Sequence, residues 1–108
     1  MPAGKAKYTV KHVETVVAGT DVRARLFTLA PGEVIPWHSH SEIADHFFVL
    51  AGELTVEMRA PDQRLALSVG ERHEIAAGTI HQTSNVAAAD CRFLLIQGVG
   101  KYDFKSAG

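Results

Sequence analysis

GEVIPWHSHSEIADHFFVLAG, residues 32–52, packs most of the chemistry of this 108-residue chain into two short segments. Gly and Pro bound a segment in which His38 and His40 stand two apart, and that spacing in a strand puts both imidazoles on one face. Asp45 follows five residues later, at the head of the apolar run Phe47 to Ala51, where a second strand begins beside the first. Histidines and a carboxylate converging on one spot are the raw material of a divalent-metal site.

The stretch GERHEIAAGTIHQTSN, residues 70–85, repeats this grammar. It predicts a strand from Glu71 to Ile75, a tight turn through Ala77 and Gly78, and a strand carrying a third imidazole, His81. The first stretch resembles the first cupin motif: Gly32, five residues, His38-x-His40, four residues, Asp45, six residues, Gly52. The second is similar to the second cupin motif: Gly70, five residues, a turn with Gly78, two residues, His81, three residues, Asn85. Two positions depart from the pattern. The family has Glu where Asp45 stands, and Pro where Ala76 stands, a change that gives up preset turn geometry but no ligand.

Together the motifs cover residues 32–85, about half of the chain. The resemblance implies an all-β double-stranded β-helix, the jelly-roll barrel of small single-domain cupins, with a divalent metal held by His38, His40, Asp45 and His81. Iron, manganese, nickel, cobalt and zinc all accept such a donor set. Asp45 has a shorter arm than Glu, which leaves two roles open to it: direct ligand, or the catalytic base if it is unligated.

Bulk composition agrees with one modest core and one domain. Eleven basic against twelve acidic residues leave a net charge of −1, which argues against nucleic acid or an anionic membrane surface and toward a small-molecule ligand. The lone Cys91 has no intrachain disulfide partner and reads as a small buried hydrophobe. MPAGKAK at the start lacks the apolar core of a secretory signal, and no apolar run approaches the roughly 20 residues of a membrane helix. A cytoplasmic protein is therefore expected.

Elsewhere the pattern is that of strands. Residues 8–17 and 22–29 roughly alternate, Leu54, Val56 and Met58 alternate with Glu53, Thr55 and Glu57, and CRFLLIQGV from Cys91 reads as a strand covered on both faces. About nine short strands with regular turn signals point to a jelly roll. Residues 1–7 and 105–108 are expected to be flexible tails, although Tyr102 and Phe104, two apart, can pin the end of the chain to the barrel or to a neighbouring subunit.

Strand parity predicts the walls of the cavity. Val34 and Pro36 share the parity of His38, and Phe47 and Val49 that of Asp45, so these four are expected around the metal. Thr83 and Asn85 follow His81 and are placed to bond a ligand, Asn85 equally to satisfy backbone in its own turn. Trp37 and His46 should face away, Glu42 should sit solvated in a turn, and His12 and His73 fall outside the motifs as structural histidines. The resemblance implies a fold and a metal better than a reaction. It leaves open a metal-dependent enzyme on a small oxygen-bearing molecule, an oxygenase by preference, an isomerase or decarboxylase, and a non-catalytic ligand-binding or sensor module. A homodimer is the expected assembly.

Overall fold

The structure, a computed structural model, describes residues 8–108, so the expected loose segment at 1–7 lies outside it. The described residues form strands and no helix. In chain order these are β1 (His12–Ala18), β2 (Val22–Leu29), β3 (Val34–Ser39), β4 (Ala44–Ala51), β5 (Leu54–Met58), β6 (Gln63–Leu67), β7 (Arg72–Ile75), β8 (His81–Ser84), β9 (Cys91–Gly98) and β10 (Lys105–Ser106). They pair antiparallel throughout in two five-stranded sheets, β1-β2-β9-β4-β7 and β10-β3-β8-β5-β6. From β2 to β5 and again from β6 to β10 successive strands alternate between the sheets, as in a double-stranded β-helix, while β1–β2 and β5–β6 are hairpins within one sheet.

Alternation drives this closure. On β4 the odd positions Asp45, Phe47 and Val49 are buried while their even neighbours are not, and on β9 Phe93, Leu95 and Gln97 do the same. Phe27 lies opposite Phe93 in the β2–β9 register, and their rings stack 5.2 Å apart. Phe47 adds a tilted contact with Phe93 at 5.7 Å. These aromatic side chains, with Leu29, Leu54 and Val56, fill the interior next to the histidines.

The two motif turns are joined by backbone hydrogen bonds. Gly78, at φ +83°, donates its N–H to the carbonyl of His40 at 2.7 Å. Gly32 and Asn85 are likewise tied, Gly32 N–H to Asn85 carbonyl at 2.8 Å and Asn85 N–H to Glu33 carbonyl at 3.1 Å. Segments 38 to 53 residues apart in sequence are thus held in register at both ends.

Residues 105–108 depart from the expected tail. Lys105 and Ser106 pair with Ser39 and His38, Ala107 donates to the Trp37 carbonyl at 2.9 Å, and Arg59 Nη1 donates to the Gly108 carbonyl at 3.0 Å. The cause is the edge of β3, whose unpaired N–H and C=O groups offer a template that only another strand satisfies. β1 starts at His12, later than the alternation from Tyr8 suggests.

Gly52 carries the tightest backbone approach: a Cβ there would meet the Asp90 carbonyl oxygen at 2.4 Å, on top of φ +74°. Gly32 has a similar φ, +87°, but open space around it. Gly32→Ala is expected to cost about 1–2 kcal/mol of left-handed strain alone. Gly52→Ala adds an overpacking cost of about 1–3 kcal/mol. Urea unfolding of the two variants side by side checks the order; equal midpoints would contradict it.

Candidate metal centre

His38 on β3 stands opposite His81 on β8 in the register of one sheet, and His40 lies just past the end of β3. Asp45 comes from the facing sheet, on β4 directly opposite Gln97 of β9. The site therefore spans the barrel interior, with three imidazoles from one wall and one carboxylate from the other. All four residues are buried, and one donor atom from each lies within 4.8 Å of the others.

Each imidazole is oriented by a carbonyl that can only accept. Nδ1 of His38 donates to the Pro36 carbonyl at 2.6 Å, that of His40 to the Asp103 carbonyl at 2.6 Å, and that of His81 to the Thr79 carbonyl at 2.8 Å. With the ring proton committed at Nδ1, a neutral imidazole presents the Nε2 lone pair. His81 Nε2 lies 2.8 Å from Asp45 Oδ2. His40 Nε2 stands 3.3 Å from the same oxygen, outside hydrogen-bond geometry and with no other partner. Lone pairs facing a carboxylate at such distances need a proton or a cation between them, and a cation satisfies all of them together. The donor set fits a divalent metal.

Electrostatics follow from burial and pairing. Burial, helped by the neighbouring His81, pushes His38 down to about 4, so it stays neutral at ordinary pH. Burial also opposes charge on His40, but Asp45 and the Asp103 carbonyl outweigh it and raise its pKa above the usual value. Burial would lift the Asp45 carboxyl; bonding to His40 and His81 overrides this and holds it well below the usual carboxylate range. Gln97 completes the arrangement, donating from Nε2 to Asp45 Oδ1 at 2.9 Å while its Oε1 accepts from Arg25 Nη2 at 2.7 Å.

Several walls of the cavity differ from the parity reading. Phe47 and Thr83 do line it, together with Ile35, Leu95, Arg25, Gln97, Tyr8, Tyr102 and Phe104. Val34 and Pro36 do not. Between the pairs Ile35↔Thr83 and His38↔His81, β3 has two residues, Pro36 and Trp37, against one on β8, Gln82. This bulge at Pro36–Trp37 puts Ile35, rather than Pro36, on the face of His38. Proline, with no N–H to pair, is at home there. Val49 is buried but belongs to the apolar core. Asn85 is turned to its own loop, donating to the Leu29 and Ala89 carbonyls and accepting from Ala87 N–H.

Other side chains take the places expected of them. Trp37 faces out under the Arg59 guanidinium, 4.0 Å from its ring centroid. His46 turns away from the site, 3.8 Å from Glu74. Glu42 is exposed and accepts from Lys101 N–H. Cys91 is fully buried, and burial raises its thiol to about 11, far from nucleophilic.

Gln97, Arg25 and Ile35 went unread in the sequence. Gln97 and Arg25 left a signal: each is a polar residue on the inward parity of an otherwise apolar strand, with Phe93 and Leu95 or with Phe27 and Leu29. Phe104 stacks on His38 at 4.3 Å between ring centroids, and Tyr102 lies against His40 at 5.5 Å, so the chain end roofs the cluster. Ser41 anchors this roof, with N–H and Oγ donating to the Asp103 carboxylate at 2.7 and 2.6 Å. The space left at the cluster is about 20 Å³, on the order of one water.

The sequence pattern of the Cupin domain matches residues 25–97, about two thirds of the chain. The chain belongs to the cupin family. Comparison with curated proteins finds no match. Among solved structures, this cupin is similar to an uncharacterised protein with a double-stranded β-helix domain from Klebsiella pneumoniae, at TM-score 0.80 and 19% identity, over 96% of this chain and 90% of that one. It is also similar to an oxalate oxidase solved with glycolate, at TM-score 0.73 and 19% identity over 86% and 53% of the two chains. A third likeness is the DMSP lyase DddQ from Ruegeria pomeroyi, at TM-score 0.69 and 17% identity over 81% and 46%. At these identities the likeness is one of fold. Among the described residues, no helix is long and apolar enough to cross a membrane.

Single replacement of His38, His40 or His81 by Ala is expected to lower the metal content of the purified cupin; a His81→Ala protein with parental metal content would remove that residue from the donor set. In metal-free protein the depressed His38 pKa means that the unfolded chain takes up a proton first as pH falls. Stability carried by neutral His38 is full above about 6.5 and is lost toward about 4, by about 3 kcal/mol at most. Urea midpoints across that window should fall in the parent and flatten in His38→Asn; parallel curves would contradict the assignment.

Proposed function

We propose that this cupin is a metal-dependent enzyme acting on a small oxygen-bearing organic molecule, with oxygenase chemistry preferred. One observation supports this above the others: three imidazoles with their Nδ1 protons tied to carbonyls, turned together toward a buried carboxylate. His38, His40, Asp45 and His81 would hold the ion. When bound, such an ion supplies a Lewis acid and, if redox-active, a site for oxygen chemistry.

The chain's own residues do the rest. The Pro36, Asp103 and Thr79 carbonyls fix the ring orientations, and Gln97 fixes one oxygen of Asp45. Ile35, Phe47, Leu95 and Phe104 close apolar walls around the cluster. Asp45 suits the ligand role better than that of base. It is held ionised, Gln97 occupies one oxygen and the other faces two imidazoles, whereas a general base works best with a pKa near the operating pH. The named likenesses, an oxalate oxidase and a DMSP lyase, agree with an enzyme on this fold.

A second reading, a non-catalytic binding or sensor module, draws on the closed roof: Phe104 on His38 leaves little room at the cluster. Metal analysis followed by aerobic assay of the loaded protein separates the two. Oxygen uptake with product formation on small carboxylates, diketones or catechols is the expected result. Tight binding of such compounds with no turnover under any redox-active ion would favour the module.

For assembly we infer a homodimer through the edge strand β1, where Val13, Val16 and Val17 are 42%, 55% and 62% exposed. Light scattering should give a dimer that Val16→Glu converts to monomer. A parent that is monomeric at tens of micromolar would refute the inference.

A further inference from the structure

Arg23 and Arg25 are unusual on this barrel. Both sit on the parity of Phe27 and Leu29, which places two guanidiniums on the interior side of β2, at the end nearer the metal cluster. Among the described residues neither forms an ion pair with a carboxylate; the ion pairs present involve Lys11, His40, His46, Arg64 and His81. Both converge instead on one neutral oxygen, Gln97 Oε1, from Arg25 Nη2 at 2.7 Å and from Arg23 Nε at 3.4 Å. Arg25 Nε is buried and has no hydrogen-bond partner at all. Two adjacent cations partly out of water, sharing one amide oxygen and leaving a donor unused, form an arrangement that an anion would complete.

The surroundings say where that anion sits. Arg25 lines the same cavity as His38, His40, Asp45 and His81. Tyr102 presently covers the two cations: Arg23 Cζ lies 3.5 Å from its ring centroid and Arg25 Cζ 5.9 Å. The Tyr102 ring also touches His40, so this one side chain reaches from the guanidiniums to the cluster. A cavity of about 20 Å³ holds no organic molecule, and swinging the Tyr102 ring off its cation stack would open the space between the two groups.

We propose that Arg23 and Arg25 form a carboxylate-binding subsite, so that this cupin takes a small aliphatic carboxylate whose acid group pairs with the guanidiniums in place of Tyr102 while its other end reaches the metal cluster. A planar guanidinium matches a carboxylate with two parallel N–H donors, which makes arginine rather than lysine the fitting cation. Gln97 then ties recognition to the cluster, since the same amide that accepts from Arg25 donates to Asp45. The inference rests on the proposed metal-dependent reading and names its substrate class.

Calorimetric titration of the metal-loaded full chain with 3-hydroxypropanoate and with its neutral amide tests it. The acid should bind at least tenfold more tightly than the amide. Compared with the parent at equal metal loading, Arg25→Gln and Arg23→Gln should each shrink that preference, and Arg25→Lys should restore it in part. Equal binding of acid and amide by the parent would overturn the subsite. So would an acid preference untouched in both Gln variants, because the carboxylate would then be held by the ion alone. A parent that takes up no metal would remove the functional reading. In that case the same titration on metal-free protein still decides the subsite, since a preference lost in Arg25→Gln upholds it and no preference refutes it.

Discussion

An ionised carboxylate in the interior of a small barrel is a demand that the rest of the fold has to meet. Asp45 is 2% exposed, and an isolated charge so placed is costly unless it is paired and hydrogen-bonded. The facing sheet meets the demand with His40 and His81, and Gln97 meets it from the adjacent strand. These partners are themselves held: the imidazoles by backbone carbonyls, the amide by Arg25. The polar centre is thus a connected network rather than a set of separate contacts, and its unpartnered imidazole nitrogen, His40 Nε2, is located where a cation would sit.

The glycine turns serve that centre. Gly78 positions the β7–β8 connection so that its N–H reaches the His40 carbonyl, which places His40 beyond the last residue of β3 without leaving it loose. Gly52 lets the β4–β5 turn pass against Asp90 with no side chain between them. Positive φ and close approach at these positions account for the motif glycines in physical terms.

Much of this was legible because it rests on spacing. His38-x-His40, Asp45 and His81 were readable as one cluster from the two-residue period, the turn glycines and the likeness to the cupin motifs, but β4, expected beside β3, lies instead in the facing sheet. Parity failed where the period broke. A bulge at Pro36–Trp37 transferred the wall position from Val34 and Pro36 to Ile35. Asn85 is taken up by backbone, bonding the Leu29 carbonyl at the end of β2 and the Ala89 carbonyl and Ala87 N–H of its own loop. Tyr102 and Phe104, two apart, hinted that the chain end could dock on the barrel, but the pairing of Lys105 and Ser106 depends on an edge of β3 that exists only after the sheet has formed. Gln97 and Arg25 were visible as polar intrusions on apolar faces, but their partners were strands away.

Division of the donor set between the two sheets has a mechanical corollary. An ion gripped by three side chains from one wall and one from the other would rivet the walls together at the end of the barrel where β3 finishes and β4 starts. Whatever binds the folded chain and not the unfolded one adds to stability according to its concentration. The rigidity of this cupin would therefore vary with metal supply, and a metal-starved chain would be held shut there by the Asp45 bonds and the apolar side chains beside them.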